Sequence, residues 1–143
     1  MIRLFVYGTL KRGFAAGDAL AQARYVGENA AQGYDLRAVS APAPDAPYPA
    51  MVAQAGMCVL GELYDVPQPL MAGLDAYEGS DYILEDVRLN DGSTAKSYVC
   101  IDTPLAPFNA VHAHLKRVDG CAQWVSAPIT LREAALDILT TAN

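Results

Sequence analysis

Two short stretches of this chain carry residue types that can do chemistry together. The first is Phe5-Val6-Tyr7-Gly8-Thr9-Leu10-Lys11-Arg12-Gly13, an apolar strand-like run that breaks at once into a glycine-flanked turn. Glycine lets the backbone take otherwise strained angles and approach a ligand closely. Several main-chain N–H groups aimed the same way would cradle an anion or a developing oxyanion. The same pattern also fits an ordinary strand-to-loop turn. The second stretch is Leu74-Asp75-Ala76-Tyr77-Glu78-Gly79-Ser80-Asp81-Tyr82. Glu78 follows an apolar helical stripe and precedes a glycine, which puts it at the negative end of a helix dipole. That position disfavours its carboxylate, more so where Tyr77 and Tyr82 exclude water. Its pKa is thereby expected to rise toward the range of a general base and acid. A solvated surface glutamate fits the same residues, and spacing alone does not rank Glu78 above Asp75, Asp81, Glu85 or Asp86.

Other chemistries lack their parts. Gly8 and Gly13 have the spacing of a phosphate-cradling P-loop, but Phe14 and Ala15 stand where Lys and Ser or Thr are required. No G-x-G-x-x-G opens a dinucleotide site, and no G-x-S-x-G forms a nucleophile elbow. His112 and His114 are the only histidines; on an extended segment they would share a face, but no H-E-x-x-H-type motif supplies a third ligand. No metal and no cofactor is expected.

The elements that must position these residues follow from composition and pattern. The 143 residues suit one domain spanning 1–143, and 52% hydrophobic against 18% charged residues is enough apolar content for a core. A net charge of −6, with only three lysines among ten basic residues, argues against nucleic acid or an anionic membrane as a partner. The apolar run Leu4 to Tyr7 is too short for a signal peptide, and no window approaches the roughly 18 apolar residues of a membrane span. A soluble, intracellular, cytoplasmic protein is expected. Cys58, Cys100 and Cys121 are odd in number and widely spaced, which fits reduced, buried thiols.

Residues 2–7, 33–39, 50–54 and 58–66 read as strands, and 82–89 with 95–101 as a hairpin around Asn90-Asp91-Gly92. Prolines 42, 44, 47 and 49 mark Ser40 to Pro49 as an irregular loop. Residues 17–24 and 130–140 suggest short helices, the latter opened by the capping box Thr130-x-x-Glu133. Pro67 to Tyr77 reads as a helix, with Leu70, Leu74 and Tyr77 on one face. The segment 104–121 is ambiguous. Too few helices separate the strands for a doubly wound sheet, so an α+β domain is expected. Its sheet should be small, mixed and mainly antiparallel, curling into a β-barrel with two or three short flanking helices.

The order of several motifs resembles the γ-glutamylcyclotransferase-like, or AIG2-like, family. They run from Val6-Tyr7-Gly8-Thr9-Leu10-Lys11-Arg12-Gly13 through Ala23-Arg24-Tyr25-Val26-Gly27-Glu28 and Gly33-Tyr34-x-Leu36. Tyr48-Pro49-Ala50-Met51-Val52, Gly61-Glu62-Leu63-Tyr64-Asp65-Val66 and Leu74-Asp75-x-Tyr77-Glu78-Gly79 follow, then Tyr82 and the hairpin from Val87 to Tyr98. The likeness covers about residues 2–100 and fades beyond. Cys121-Ala122-Gln123-Trp124 stands where many relatives have Gly-Asp-Trp, and Pro104 to Gly120 looks like an insertion.

The resemblance implies a small barrel with a cavity at its mouth. It implies substrate binding by Tyr7, Gly8, Thr9 and Leu10, acid/base catalysis by Glu78, and Tyr82 as a further lining residue. It also implies an acyltransferase- or lyase-type cyclisation of a small γ-glutamyl amine or γ-glutamyl amino acid to 5-oxoproline, releasing an amine. The nucleophile belongs to the substrate, so neither metal nor cofactor is needed. The alternative is a non-catalytic module that binds a small metabolite or a peptide end in the same pocket.

Overall fold

The computed structural model describes residues 1–8, 11, 20–39, 48–78, 82–100 and 115–125. Its first strand, β1 (Ile2–Val6), is built from the apolar run at the N-terminus, with Leu4, Phe5 and Val6 buried. β2 (Arg24–Val39) and β3 (Tyr48–Val66) pair antiparallel along nearly their whole length. The stretches 50–54 and 58–66 are thus one strand. Between them the register jumps from Gln32–Cys58 to Tyr34–Ala53, a bulge that absorbs the extra residues without ending the strand. The strand also begins earlier than expected: Tyr48 and Pro49 pair with Val39 and Ala38 and do not belong to the proline-rich loop. Residues 40–47 of that loop lie outside the described residues.

After β3 a single 3₁₀ turn, Gln68–Leu70, leads into α1 (Met71–Glu78). β4 (Tyr82–Arg88) and β5 (Thr94–Cys100) form the expected hairpin. Its turn is held by Asp91 Oδ1, which accepts the Ser93 N–H at 3.0 Å. The ambiguous segment leads into a second hairpin, β6 (Leu115–Val118) with β7 (Cys121–Trp124), which runs past its end and is turned through Asp119 and Gly120 at φ 51° and 83°. Positive φ at both turn residues is the geometry that Asp-Gly favours in two-residue hairpins.

The strands run in the order β4-β5-β1-β3-β7-β6, with β2 along the other side of β3. β1–β5 and β3–β7 are parallel and the remaining pairs antiparallel. The sheet is therefore mixed, as expected, but it is not closed into a barrel. β2 meets the β4–β5 hairpin through an isolated bridge, Ala31 with Leu89, where closure requires a ladder. Two or three helices were also expected; one α-helix occurs among the described residues. The helix expected over 130–140 lies outside them. Of that expected over 17–24, the described part is a turn closed by Ala23 N–H on Leu20 O, and Arg24 already begins β2. No helix of the described residues is long and apolar enough to cross a membrane.

Strand alternation sends side chains to two cores. Phe5, Tyr7, Leu36, Met51, Leu63, Leu115 and Trp124 fill one face. Leu4, Val6, Tyr64, Val66, Tyr82 and Tyr98 fill the other, where Met71 and Leu74 of α1 pack on them. The expectation of reduced thiols fails for two of the three cysteines. The parallel register of β3 and β7 puts Cys58 opposite Cys121, Cα to Cα 4.6 Å, and the pair forms a disulfide. Cys100 is free. The disulfide fastens the β6–β7 hairpin to β3, and Arg117 of β6 adds a second tie at 3.2 Å to the buried carboxylate of Asp35 on β2.

Candidate functional site

The chain leaves β1 at Tyr7 and bends at Gly8. Lys11 N–H donates to Gly8 O at 3.0 Å, so the main chain turns back within three residues. Close packing dictates glycine at this bend. A Cβ on Gly8 would lie 2.5 Å from Pro49 Cγ and 3.3 Å from Cδ, in the body of a rigid ring. Thr9 and Leu10 lie outside the described residues.

Tyr7 is buried, and its phenol joins two strands. The hydroxyl donates to Tyr98 O on β5 at 2.7 Å and accepts the Met51 N–H of β3 at 3.2 Å. Tyr82 opens β4, and its hydroxyl donates to Pro49 O at 3.1 Å. Three residues singled out from sequence, Tyr7, Gly8 and Tyr82, therefore meet at Pro49–Met51, the start of β3. Glu78 is the last residue of α1, four positions before Tyr82. Its side chain is outside the described residues, as is that of Tyr77.

The helix is held in place by more than apolar packing. The Tyr98 hydroxyl donates to Asp75 Oδ1 at 2.5 Å, tying α1 to β5 three residues before Glu78. The loop after β1 is held as well. Lys11 is only 5% exposed, and its Nζ donates to Trp124 O, at the end of β7, over 2.7 Å. Burial pushes this ammonium down to a pKa of about 8, against the opposing pull of the Glu62 and Glu28 carboxylates.

Lys11, Tyr98 and Asp75 were not singled out as site residues, apart from Asp75 as one of several carboxylates. Lys11 sits beside a glycine turn, a pattern shared with any surface lysine. Tyr98 reads as one more β former in a hairpin. Among the described residues no three His, Cys, Asp or Glu side chains gather to hold a metal ion, and His112 and His114 lie outside them.

The arrangement is a glycine bend braced by a proline ring, two buried tyrosine hydroxyls on main-chain groups, and a helix ending in a glutamate nearby in sequence. The profile of the gamma-glutamyl cyclotransferase, AIG2-like family matches residues 4–122, which takes in all of it. The chain belongs to that family. A comparison with curated proteins finds no match. Among solved structures, an uncharacterised protein of Pyrococcus horikoshii is 26% identical, with a TM-score of 0.61 over 73% of this chain and 81% of that one. A Mus musculus AIG2-like protein is also 26% identical, with a TM-score of 0.57 over 75% and 80% of the two chains. A protein named gamma-glutamyl cyclotransferase shares the fold at 19% identity, with a TM-score of 0.59 over 74% of this chain and 70% of its own. The mixed sheet with its short helix is thus the fold of this AIG2-like family.

Proposed function

We propose that this protein is a γ-glutamyl cyclotransferase that converts a small γ-glutamyl amine or γ-glutamyl amino acid to 5-oxoproline and the free amine. Family membership over residues 4–122, a span that contains both the Tyr7–Gly8 bend and Glu78, carries this reading. A γ-glutamyl compound holds its own nucleophile, the α-amino nitrogen. Glu78 takes a proton from the α-ammonium, and the freed nitrogen attacks the γ-carbonyl carbon. The carbonyl oxygen becomes negative as the five-membered ring closes, and amides of the Tyr7-Gly8-Thr9-Leu10 segment stabilise it. The bond to the leaving nitrogen then breaks, and Glu78 returns the proton to that nitrogen. Atoms balance with no external nucleophile. Tyr82 lines the site.

A panel of γ-glutamyl amino acids, γ-glutamyl amines and a γ-glutamyl-lysine isopeptide, followed by chromatography for 5-oxoproline, tests this. Lactam is expected from at least one compound. Glu78→Gln should lower kcat by about 10²–10⁴ with the far-ultraviolet circular dichroism unchanged. No 5-oxoproline across the panel would refute the reaction, and free glutamate in its place would indicate hydrolysis.

A further inference from the structure

We infer that Tyr98 is a positioning residue that sets the helix bearing Glu78 against the Tyr7–Gly8 bend. The inference rests on Glu78 as the acid/base proposed above. Tyr98 is 4% exposed on β5, and it is bonded at both ends. Its hydroxyl donates to Asp75 Oδ1 on α1 at 2.5 Å, and its main-chain oxygen accepts the Tyr7 hydroxyl at 2.7 Å. The Tyr7 oxygen in turn accepts Met51 N–H, which fixes the end of β1 on β3. Helix and bend are thereby referred to one residue.

Among the described residues, α1 also packs on this core through the apolar side chains of Met71 and Leu74. Apolar burial is non-directional and tolerates small slides and rotations. A hydrogen bond to a carboxylate is short and directional, and it removes that freedom. Glu78 stands three residues beyond Asp75, about 4.5 Å along the helix axis. A helix rotation that the apolar contacts would allow therefore moves the acid/base almost as far as it moves Asp75. Misplacement by about 1 Å can cost about 10²-fold in rate.

The test compares wild type with Tyr98→Phe, Asp75→Ala, Asp75→Asn and the double variant Tyr98→Phe/Asp75→Ala, all in the full chain. Tyr98→Phe and Asp75→Ala should each lower kcat by about tenfold, with KM within about twofold. Asp75→Asn keeps an oxygen to accept the phenol and should recover most of the rate. The double variant should be no slower than the slower single one, because both changes break one bond. A wild-type kcat in Tyr98→Phe, an Asp75→Asn variant as slow as Asp75→Ala, or multiplying losses each overturn the inference. Amide hydrogen exchange over residues 74–78 supplies a reading free of activity. Exchange should be at least about tenfold faster in Tyr98→Phe, and unchanged protection overturns the inference. Should the wild type form no 5-oxoproline, the proposed reaction falls, and the exchange result alone decides Tyr98.

Discussion

Replacing Lys11 by methionine should change how stability depends on pH. The Lys11 ammonium ordinarily titrates at 10.5, and burial lowers this to about 8 in the folded protein. Each pKa unit is worth about 1.4 kcal/mol, so keeping the buried group charged costs the folded state about 3 kcal/mol. The sign follows from proton counting. Below pH 8 both states hold the proton and the whole cost is present. Between about pH 8 and 10.5 the unfolded chain binds more protons than the folded one, so stability rises with pH. With these two values, wild type should gain about 2 kcal/mol between pH 7 and 9.5 relative to Lys11→Met. In urea that is a relative midpoint shift of about 1 M.

The assay is urea unfolding of both proteins at several pH values, in a Cys100→Ser background that removes the free thiol. Carbon-13 titration of the Lys11 side chain reads the pKa directly. Parallel stability curves would refute the desolvated ammonium. A relative loss for wild type with rising pH would mean that Glu62 and Glu28 outweigh burial, reversing their present order. Lys11→Met also strips the Trp124 carbonyl of this donor, which costs about 1–3 kcal/mol. The variant has no titrating group at position 11, so the relative slope still reports the Lys11 titration alone.

Gly8→Ala should destabilise the fold by about 1–3 kcal/mol, because its methyl would lie 2.5 Å from Pro49 Cγ. An unchanged urea midpoint would rule out the close approach. Reduction of Cys58–Cys121, or the double change Cys58→Ser/Cys121→Ser, opens a loop of sequence separation 63 and should lower stability by about 4 kcal/mol in the chain-entropy description. Equal midpoints with and without dithiothreitol would show that the bond contributes nothing.

Much of the architecture was legible because its signals are local. β1 is a short apolar run, and β4–β5 is announced by Asn90-Asp91-Gly92 between alternating strands. The same logic could have found β6–β7, since Asp119-Gly120 is an equally good turn pair. It was hidden because each flanking strand is only four residues long, too short for alternation to stand out. Closure of the sheet is a different matter. It depends on whether β2 and the β4–β5 hairpin form a ladder or share an isolated bridge, and nothing in either segment alone decides that. The disulfide is equally non-local: Cys58 and Cys121 meet only because β3 and β7 run parallel in one particular register.

The candidate site divides along the same line. Tyr7, Gly8, Tyr82 and Glu78 could be picked out by motif, but what holds the first three together is the main chain of Pro49–Met51, a stretch whose first residue reads as loop from its prolines. Proline suits the place physically. It has no N–H to satisfy, its carbonyl is open to the Tyr82 hydroxyl, and its ring is a stiff wall against Gly8. The two hydroxyls found here, on Tyr7 and Tyr82, bond to main-chain atoms of other strands, β3 and β5. Site geometry is therefore tied to strand register among β1, β3 and β5, and less to side-chain choice at the rim. A register shift of one residue would move each strand's side chains to the opposite face and break these bonds together. For the reaction proposed above, changes that disturb β3 at its start should accordingly lower the rate, even where no side chain there touches substrate.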